Sequence, residues 1–316
     1  MVLAVAGILV GLALLTFAAD QFVVGAARLA VTLRISPIVV GAVVVGFGTS
    51  APELLTSGLA ASDGRIDLAV GNIIGSNVAN LTLVLGIAAL VTPIVVRSTA
   101  LRREAPMSLV AVLAFALLVQ NGLGPTEGVV LAIILVASLT TIIALSRGDG
   151  GGDTLLADVE GFLGGVVPSP SREALRTVLG LGGTIAAAYL LVESATLIAT
   201  ELGLAQGFVG FTVVAVGTSL PELATAVQGA RRGETDLIVG NLLGSNLFNA
   251  AAVGALAAFV GTAEIPDPSM TGLGVGLMVG IALAATLFMF TGRRVVRWEG
   301  ALLLAAYLAV LPLLAR

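Results

Sequence analysis

The chain has 316 residues, of which 58% are hydrophobic and only 11% charged, and its mean hydropathy is +1.10. Soluble domains carry about 25% charged residues, so this composition predicts a polytopic membrane protein. The chain has no histidine, cysteine or lysine, which excludes disulfides, Cys/His zinc sites, Ser-His-Asp hydrolysis and lysine Schiff bases and leaves an enzyme little chemistry.

Apolar runs of about 20 residues, the length that crosses a bilayer, predict an all-α protein with ten transmembrane helices. In chain order these runs cover residues 2–31, 36–61, 66–93, 106–120, 126–145, 174–200, 205–230, 235–261, 271–291 and 298–315. The first run is too long for a cleaved signal peptide and is interpreted as a retained, tilted helix.

The only sizeable hydrophilic stretch, residues 146–173, is rich in glycine and proline and predicts a cytosolic linker. It divides the chain into an N-terminal five-helix half (1–145) and a C-terminal five-helix half (174–316). Its acidic residues do not have the spacing of a calcium-binding EF-hand loop.

The arginines predict the orientation of these helices. If the N-terminus lies outside, the inner loops contain about twelve arginines, and the outer side keeps only Arg65 and Arg316. This is a strong positive-inside bias, and it supports the count of ten helices. We therefore expect a multi-pass protein of the cell membrane with both termini outside.

Residues 41–90 and 210–259 align without a gap at an offset of 169, and about 24 of the 50 positions are identical. The two copies define repeats at 36–93 and 205–261 within the two halves. Because each half has an odd number of helices, the second half has the opposite orientation in the membrane to the first. Inverted repeats of this kind are typical of secondary transporters.

Two acidic residues at equivalent repeat positions, Glu53 and Glu222, fall in the middle of apolar spans. A carboxylate at the bilayer centre costs about 3 kcal/mol, so such residues usually mark an ion pathway. The pseudo-twofold axis should bring the two together, where they repel unless a cation or protons lie between them. A hard divalent cation resolves this repulsion best.

Oxygen-bearing side chains surround both glutamates at helical spacing. Thr49 and Ser50 share a helical face with Glu53, and Thr218 and Ser219 do so with Glu222. On the following helix, Ser76 is four residues before Asn80, as Ser245 is before Asn249. Pro52 and Pro221 cannot donate backbone hydrogen bonds, so carbonyls near Gly46–Gly48 and Ala215–Gly217 are expected to be released. Such oxygens suit calcium or several sodium ions.

Other polar residues near this site allow a purely structural interpretation. The asparagines at positions 72, 77, 241 and 246 could bind a cation or hydrogen bond between helices, and the Gly71–Gly75 and Gly240–Gly244 pairs fit close helix packing. Asp67 and Asp236 are expected to cap helices. Glu193 is a candidate gating or proton-linked group.

The motifs Gly-Thr-Ser-x-Pro-Glu and Gly-Asn-x-x-Gly-Ser-Asn-x-x-Asn, each present twice, resemble the paired alpha repeats of the cation/calcium exchanger superfamily, most closely its prokaryotic sodium/calcium exchangers. The resemblance implies a ten-helix fold that exports calcium in exchange for sodium, usually three sodium ions per calcium ion. It implies no cofactor, and nothing in the sequence indicates a nucleic acid or an obligatory protein partner.

By position, the resemblance assigns ligands to this chain. Glu53 and Glu222 become the central ligands, Thr49 and Thr218 add oxygens to calcium, and Asn80 and Asn249 complete the middle of the site. The residues implied to line the flanking sodium sites are Ser50, Ser219, Ser76, Ser245 and the carbonyls of Gly46 and Ala215. Several family members, including those that co-transport potassium, carry Asp where this chain has Asn249. The asparagine argues against potassium dependence and leaves two site carboxylates.

The sequence leaves a choice of mechanism. The primary hypothesis is alternating access at one shared site, with the long helices 2–31 and 174–200 sliding against the rest. The nearest rival is a calcium/proton antiporter in which the same two glutamates titrate. A passive channel is disfavoured because one acidic pair in an inverted repeat is not a ring around a pore.

Overall fold

The computed structural model describes residues 2–32, 49–96, 104–146, 169–233, 235–261 and 264–314, and these ranges are mainly helical. The helices are α1 (Val2–Thr32), α2 (Ala51–Ser62), α3 (Ile66–Val91), α4 (Glu104–Leu118), α5 (Pro125–Ser146), α6 (Pro170–Leu202), α7 (Gln206–Thr218), α8 (Leu220–Arg232), α9 (235–260), α10 (Met270–Gly292) and α11 (Arg297–Leu314). Two short strands, β1 (Ile94–Val95) and β2 (Arg294–Val295), pair antiparallel.

Among the described residues, eight helices are long and apolar enough to cross a membrane, and α7 with α8 forms a ninth span bent by 43°. The bounds of these spans differ from the predicted ones by up to four residues. The predicted span over 36–61 is described only from Thr49 onwards, so Gly46 and the start of that span lie outside the described residues. The same holds for most of the predicted linker, since α5 ends at Ser146 and α6 begins at Pro170.

The helices follow the repeat offset of 169 closely. α2 corresponds to α8 and α3 to α9, and α1 corresponds to α6. Even a local irregularity recurs, because α3 and α9 each contain a five-residue π-helical segment, at Asn80–Val84 and Asn249–Val253. The sequence alignment does not predict these segments, but it places them at equivalent positions.

The centre of the molecule is formed by α3 and α9, most of whose residues are buried. Glycines let α3 approach α7 through the backbone, which confirms close packing at the Gly71–Gly75 pair. A Cβ on Gly71 would lie 2.1 Å from the Gly207 carbonyl oxygen, and one on Gly75 would lie 2.3 Å from that of Phe211. Only glycine fits at such contacts, which hold the two repeats together at the middle of the bundle.

The two longest helices, α1 and α6, run antiparallel along each other at the side of this centre. They also touch backbone to backbone: a Cβ on Gly11 would lie 3.2 Å from the Leu191 nitrogen, and one on Gly180 would lie 2.4 Å from the Phe22 nitrogen. Many of their other side chains are exposed and apolar, as expected for helices that face lipid. α1 and α6 therefore form a tightly packed pair.

Candidate cation site between the repeats

The site is built at a helix break that occurs once in each repeat. α2 begins directly after Ser50, whose backbone has φ −91° and ψ 6°, and α8 begins after Ser219, with φ −84° and ψ 7°. Pro52 and Pro221 lie in the first turn, where the missing N–H costs little. Neither serine side chain caps its helix, so both hydroxyls are available to other partners.

Glu53 and Glu222 lie in the first turns of these two helices, where the positive end of the helix dipole favours a carboxylate. Their side chains are fully enclosed, since Glu53 is 1% exposed and Glu222 is 0% exposed. They also lie near each other, because Ser219, three residues before Glu222, is hydrogen bonded to the Glu53 carboxylate. The structure therefore brings together the two acidic residues that the repeat alignment pairs.

Each glutamate accepts a hydrogen bond from a serine of the second repeat. The Ser219 hydroxyl donates to Glu53 Oε1 at 3.2 Å, and the Ser245 hydroxyl donates to Glu222 Oε1 at 3.4 Å. The equivalent first-repeat hydroxyls, those of Ser50 and Ser76, are buried and have no hydrogen-bond partner among the described residues. The two halves of the site are thus alike in composition but differ in hydrogen bonding.

The threonines contact asparagines of the opposite repeat. Thr218 Oγ1 donates to Asn72 Oδ1, and Thr49 Oγ1 donates to Asn241 Oδ1, both at 3.3 Å. Thr49 also lies 3.1 Å from the Ser245 hydroxyl. Asn72 and Asn241, two of the four asparagines that the sequence left between ligation and packing, accept hydrogen bonds across the repeats, which favours the packing interpretation for their oxygens.

A second group of asparagines occupies the middle of the interface. Asn80 Nδ2 donates to Asn246 Oδ1 at 3.0 Å, and Asn246 Nδ2 donates to the Asn77 carbonyl at 3.2 Å. Asn249 is fully buried, yet neither polar atom of its side chain has a partner within the described part of the chain. Asn80 and Asn249 each begin a π-helical segment, a feature that is frequent at functional sites.

The site is notable for buried side-chain oxygens that have no hydrogen-bond partner in the described ranges. Unpartnered buried polar atoms are uncommon in proteins because each loses its hydration without compensation. Seven such oxygens belong to the two repeated motifs that contain or follow the glutamates: Ser50 Oγ, Glu53 Oε2, Ser76 Oγ, Asn77 Oδ1, Asn80 Oδ1, Glu222 Oε2 and Asn249 Oδ1. Carboxylate, amide and hydroxyl oxygens are the donors that sodium and calcium prefer, so the set fits hard cations.

The predicted release of the Ala215 carbonyl at the helix break is wrong, which leaves its role as a ligand a prediction. The Ala215 carbonyl accepts the Ser219 backbone N–H at 3.0 Å, and the Thr218 hydroxyl, which donates to Asn72, also lies 3.3 Å from it. The reason is the spacing: Pro221 lacks the N–H that would bond the carbonyl four residues earlier, which belongs to Gly217. Because the Thr218 hydroxyl has one proton, the second lone pair of the Ala215 carbonyl is open to a cation when that proton points to Asn72.

Asp67 and Glu193, two acidic residues outside the site, make contacts that the sequence does not predict. Asp67 does not cap its own helix but accepts the backbone N–H of Asp267 at 3.0 Å, joining the start of α3 to the segment before α10. Glu193 forms an ion pair with Arg65, which ties α6 to the turn between α2 and α3. The side chain of Asp236 lies outside the described residues.

Comparison with known proteins agrees with this architecture. The sodium/calcium exchanger protein family matches residues 3–144 and 173–315. The inner membrane protein YrbG of Escherichia coli is 39% identical over 283 residues, covering 85% of this chain and 83% of YrbG. The sodium/calcium exchanger MaX1 of Methanosarcina acetivorans is 28% identical over 344 residues, covering 97% of each chain.

Among solved structures, the sodium-calcium exchanger NCX_Mj soaked with Na+ and Ca2+ superimposes with a TM-score of 0.66 and 30% sequence identity, over 99% of this chain and 98% of that one. This match confirms the predicted fold class, ten transmembrane helices arranged as two inverted five-helix repeats. Because the family match covers most of both halves, the chain belongs to the sodium/calcium exchanger protein family.

Proposed function

We propose that the protein is a secondary active antiporter that exchanges sodium for calcium by alternating access. The observation that carries this proposal is the group of seven buried oxygens of the repeated motifs, including those of Glu53 and Glu222, that have no hydrogen-bond partner in the described residues. Family membership supports cation/calcium antiport, and the oxygen donors at the site suit both ions. No enzymatic step is involved, since family members are transporters rather than enzymes.

Calcium and sodium compete for the same oxygens in this proposal. Calcium binds between the two carboxylates with the Thr49 and Thr218 oxygens, and its double charge balances the two glutamates. Sodium ions occupy the flanking positions, whose proposed ligands are Ser50, Ser76, Ser219, Ser245 and the carbonyls of Gly46 and Ala215. Asn80 and Asn249 complete the middle of the site. The two ions cannot be fully bound at once, and this competition couples their movements.

The moving element in the proposal is the α1–α6 pair, sliding as one body against the central bundle. Two features support it. The pair is joined internally through glycine contacts, and within the described residues it contacts the α2–α3 turn through the Arg65–Glu193 ion pair, whose side chains are 20% and 41% exposed. An exposed ion pair contributes about 0–1 kcal/mol, so it can break and re-form during a transport cycle.

The charge at the site sets the electrical character of the cycle. With two glutamates, a calcium-loaded site is neutral, and a site with three sodium ions carries one net positive charge. Moving that charge across the membrane is worth about 2.3 kcal/mol per 100 mV. An inside-negative cell therefore drives sodium inward and calcium outward, so we propose electrogenic calcium export.

A calcium/proton antiporter is the second candidate, because the same buried glutamates could exchange calcium for protons. The flanking serine hydroxyls favour sodium, since they supply oxygens beyond those assigned to calcium here, and a proton needs no such ligands.

The coupling ion can be decided by reconstituting the full chain in liposomes and measuring calcium uptake against two separate gradients. We expect uptake when the liposomes contain sodium and the bath does not, and we expect it to persist when a protonophore collapses the pH gradient. Uptake that requires a pH gradient and does not depend on the sodium gradient would contradict sodium exchange and favour the calcium/proton antiporter.

The proposed location is the cell membrane with both termini outside. The chain has no cysteine, so single-cysteine variants can report the orientation directly. Asn121 and Ser169 are both exposed and lie at opposite ends of the bundle in this topology. An impermeant maleimide added to intact cells should label Asn121→Cys and leave Ser169→Cys unlabelled until the membrane is opened, and the reverse pattern would invert the topology.

A further inference from the structure

The Thr218 hydroxyl begins a series of hydrogen bonds that continues through buried polar groups of the first repeat. Thr218 Oγ1 donates to Asn72 Oδ1 at 3.3 Å, Asn72 Nδ2 donates to the Ser57 hydroxyl at 2.8 Å, and Ser57 donates to the Ala69 carbonyl at 3.5 Å. Ser57 and Asn72 are fully buried. Neither is among the ligands that the family resemblance assigns to the site.

The last acceptor of this hydrogen-bonded series, the Ala69 carbonyl, determines the direction of every hydrogen bond in it. A backbone carbonyl can only accept, so the Ser57 hydroxyl donates to Ala69 and its own oxygen accepts from Asn72. That contact requires the amide nitrogen of Asn72 to face Ser57, which turns the amide oxygen towards Thr218. An amide oxygen only accepts, and Thr218 must therefore be the donor.

This direction matters because a hydroxyl that binds a cation must point its proton elsewhere. Two other acceptors lie near the Thr218 hydroxyl: the Ala215 carbonyl, at 3.3 Å, and the Glu53 carboxylate. Donation to either would occupy an oxygen that the cation needs. Donation to Asn72 instead keeps the proton out of the site and leaves the Thr218, Ala215 and Glu53 oxygens for the ion.

The second repeat lacks this arrangement. Thr49 donates to Asn241 Oδ1 at 3.3 Å, but the position equivalent to Ser57 is Ala226. Asn241 Nδ2 has no partner within the described ranges. Thr49 also lies 3.1 Å from the Ser245 hydroxyl, which donates its own proton to Glu222, so the Thr49 proton has two acceptors to choose between. The hydrogen bonds therefore set the direction of the Thr218 hydroxyl proton but do not set that of the Thr49 hydroxyl proton.

We propose that Ser57 and Asn72 are positioning residues that set the calcium affinity of the site by holding the Thr218 proton away from the ion. The proposal rests on the function proposed above and adds residues that act through Thr218 without touching the cation. It predicts that the two repeats contribute unequally to calcium binding although their ligand residues are equivalent.

The test is calcium binding by titration calorimetry on the full chain in detergent, together with the calcium KM and maximal rate of exchange in liposomes. Ser57→Ala copies the residue of the second repeat, and we expect it to raise the calcium Kd and KM about 2- to 12-fold, the effect of one net hydrogen bond, with the maximal rate kept. Ser138→Ala, the same change at another largely buried serine, on α5, is the matched control and should leave both constants unchanged.

A double-mutant cycle with Thr218→Val separates positioning from packing. If Ser57 acts through the Thr218 hydroxyl, Ser57→Ala should have no further effect on the calcium Kd once that hydroxyl is gone. Equal effects of Ser57→Ala with and without the Thr218 hydroxyl would overturn the proposal, as would an unchanged Kd in the single variant. Failure of the wild-type chain to bind or exchange calcium would instead overturn the proposed function.

Discussion

The Ser219 hydroxyl of the second repeat lies 3.2 Å from Oε1 of Glu53 in the first repeat. This contact uses one oxygen of the carboxylate, and the other, Oε2, has no partner in the described part of the chain. Glu222 is held in the same way: its Oε1 accepts a hydrogen bond from Ser245, and its Oε2 has no partner among the described residues. Each carboxylate is therefore held in place by one oxygen and can offer the other to a cation.

Removing either central charge should abolish exchange. Glu53→Gln and Glu222→Gln keep the side-chain shape but leave calcium with only one balancing carboxylate, so we expect calcium uptake in liposomes to fall at least about 30-fold. Glu127→Gln, the same change at a residue that accepts the Gly124 backbone N–H, is the control for expression and insertion. Retained exchange in either site variant, at matched protein amounts, would remove that glutamate from the site.

Asn249→Leu should separate ion binding from folding. Neither polar atom of Asn249 has a partner in the described residues, so an apolar side chain of similar size loses no hydrogen bond and should leave thermal stability unchanged or raised. If Asn249 is a ligand, the same variant should bind calcium several-fold more weakly by calorimetry. Loss of stability with unchanged calcium affinity would make Asn249 a structural residue.

Breaking the Arg65–Glu193 ion pair should speed turnover if the α1–α6 pair must leave that contact in each cycle. For Glu193→Gln we expect the maximal exchange rate to rise up to about fivefold, since a partly exposed pair contributes at most about 1 kcal/mol. The calcium Kd should not change, because the pair is not part of the site. Exchanging the charges in Arg65→Glu with Glu193→Arg should return the rate towards wild type, and an effect on Kd alone would exclude a gating role.

The glycine contact between α3 and α7 should be essential for stability. A Cβ on Gly71 would lie 2.1 Å from the Gly207 carbonyl oxygen, so Gly71→Ala must push the helices apart, and we expect it to cost about 1–3 kcal/mol. Gly276→Ala on α10 is the control, because nothing in the described structure lies within 4 Å of its added methyl group. Thermal unfolding in detergent measures both, and equal midpoints would contradict the close packing.

The parts of the fold that the sequence predicts are those that depend on length, periodicity and repetition. Apolar run length predicts the spans, and the repeat offset predicts that Glu53 and Glu222 meet, because equivalent positions approach a pseudo-twofold axis. The break before α8 also follows from Pro221. The structure confirms these expectations at the level of helices and burial, while the role of each residue as a ligand stays a prediction.

What the sequence does not predict are contacts that depend on tertiary placement. The Arg65–Glu193 pair joins residues 128 positions apart, and no local pattern relates them. The π-helical segments at Asn80 and Asn249 result from a backbone adjustment within an unbroken apolar run. Ser57 was missed because its equivalent is Ala226, so a search for matching polar residues in both repeats passes over it.

The most direct test of sodium-for-calcium exchange is calcium uptake into liposomes that contain sodium and the wild-type chain, with the membrane potential fixed by potassium and valinomycin. We predict uptake that requires internal sodium and speeds up when the inside is made positive, because each cycle moves one net positive charge outward. Uptake that proceeds equally without sodium, or none under any gradient, would contradict the proposed exchange.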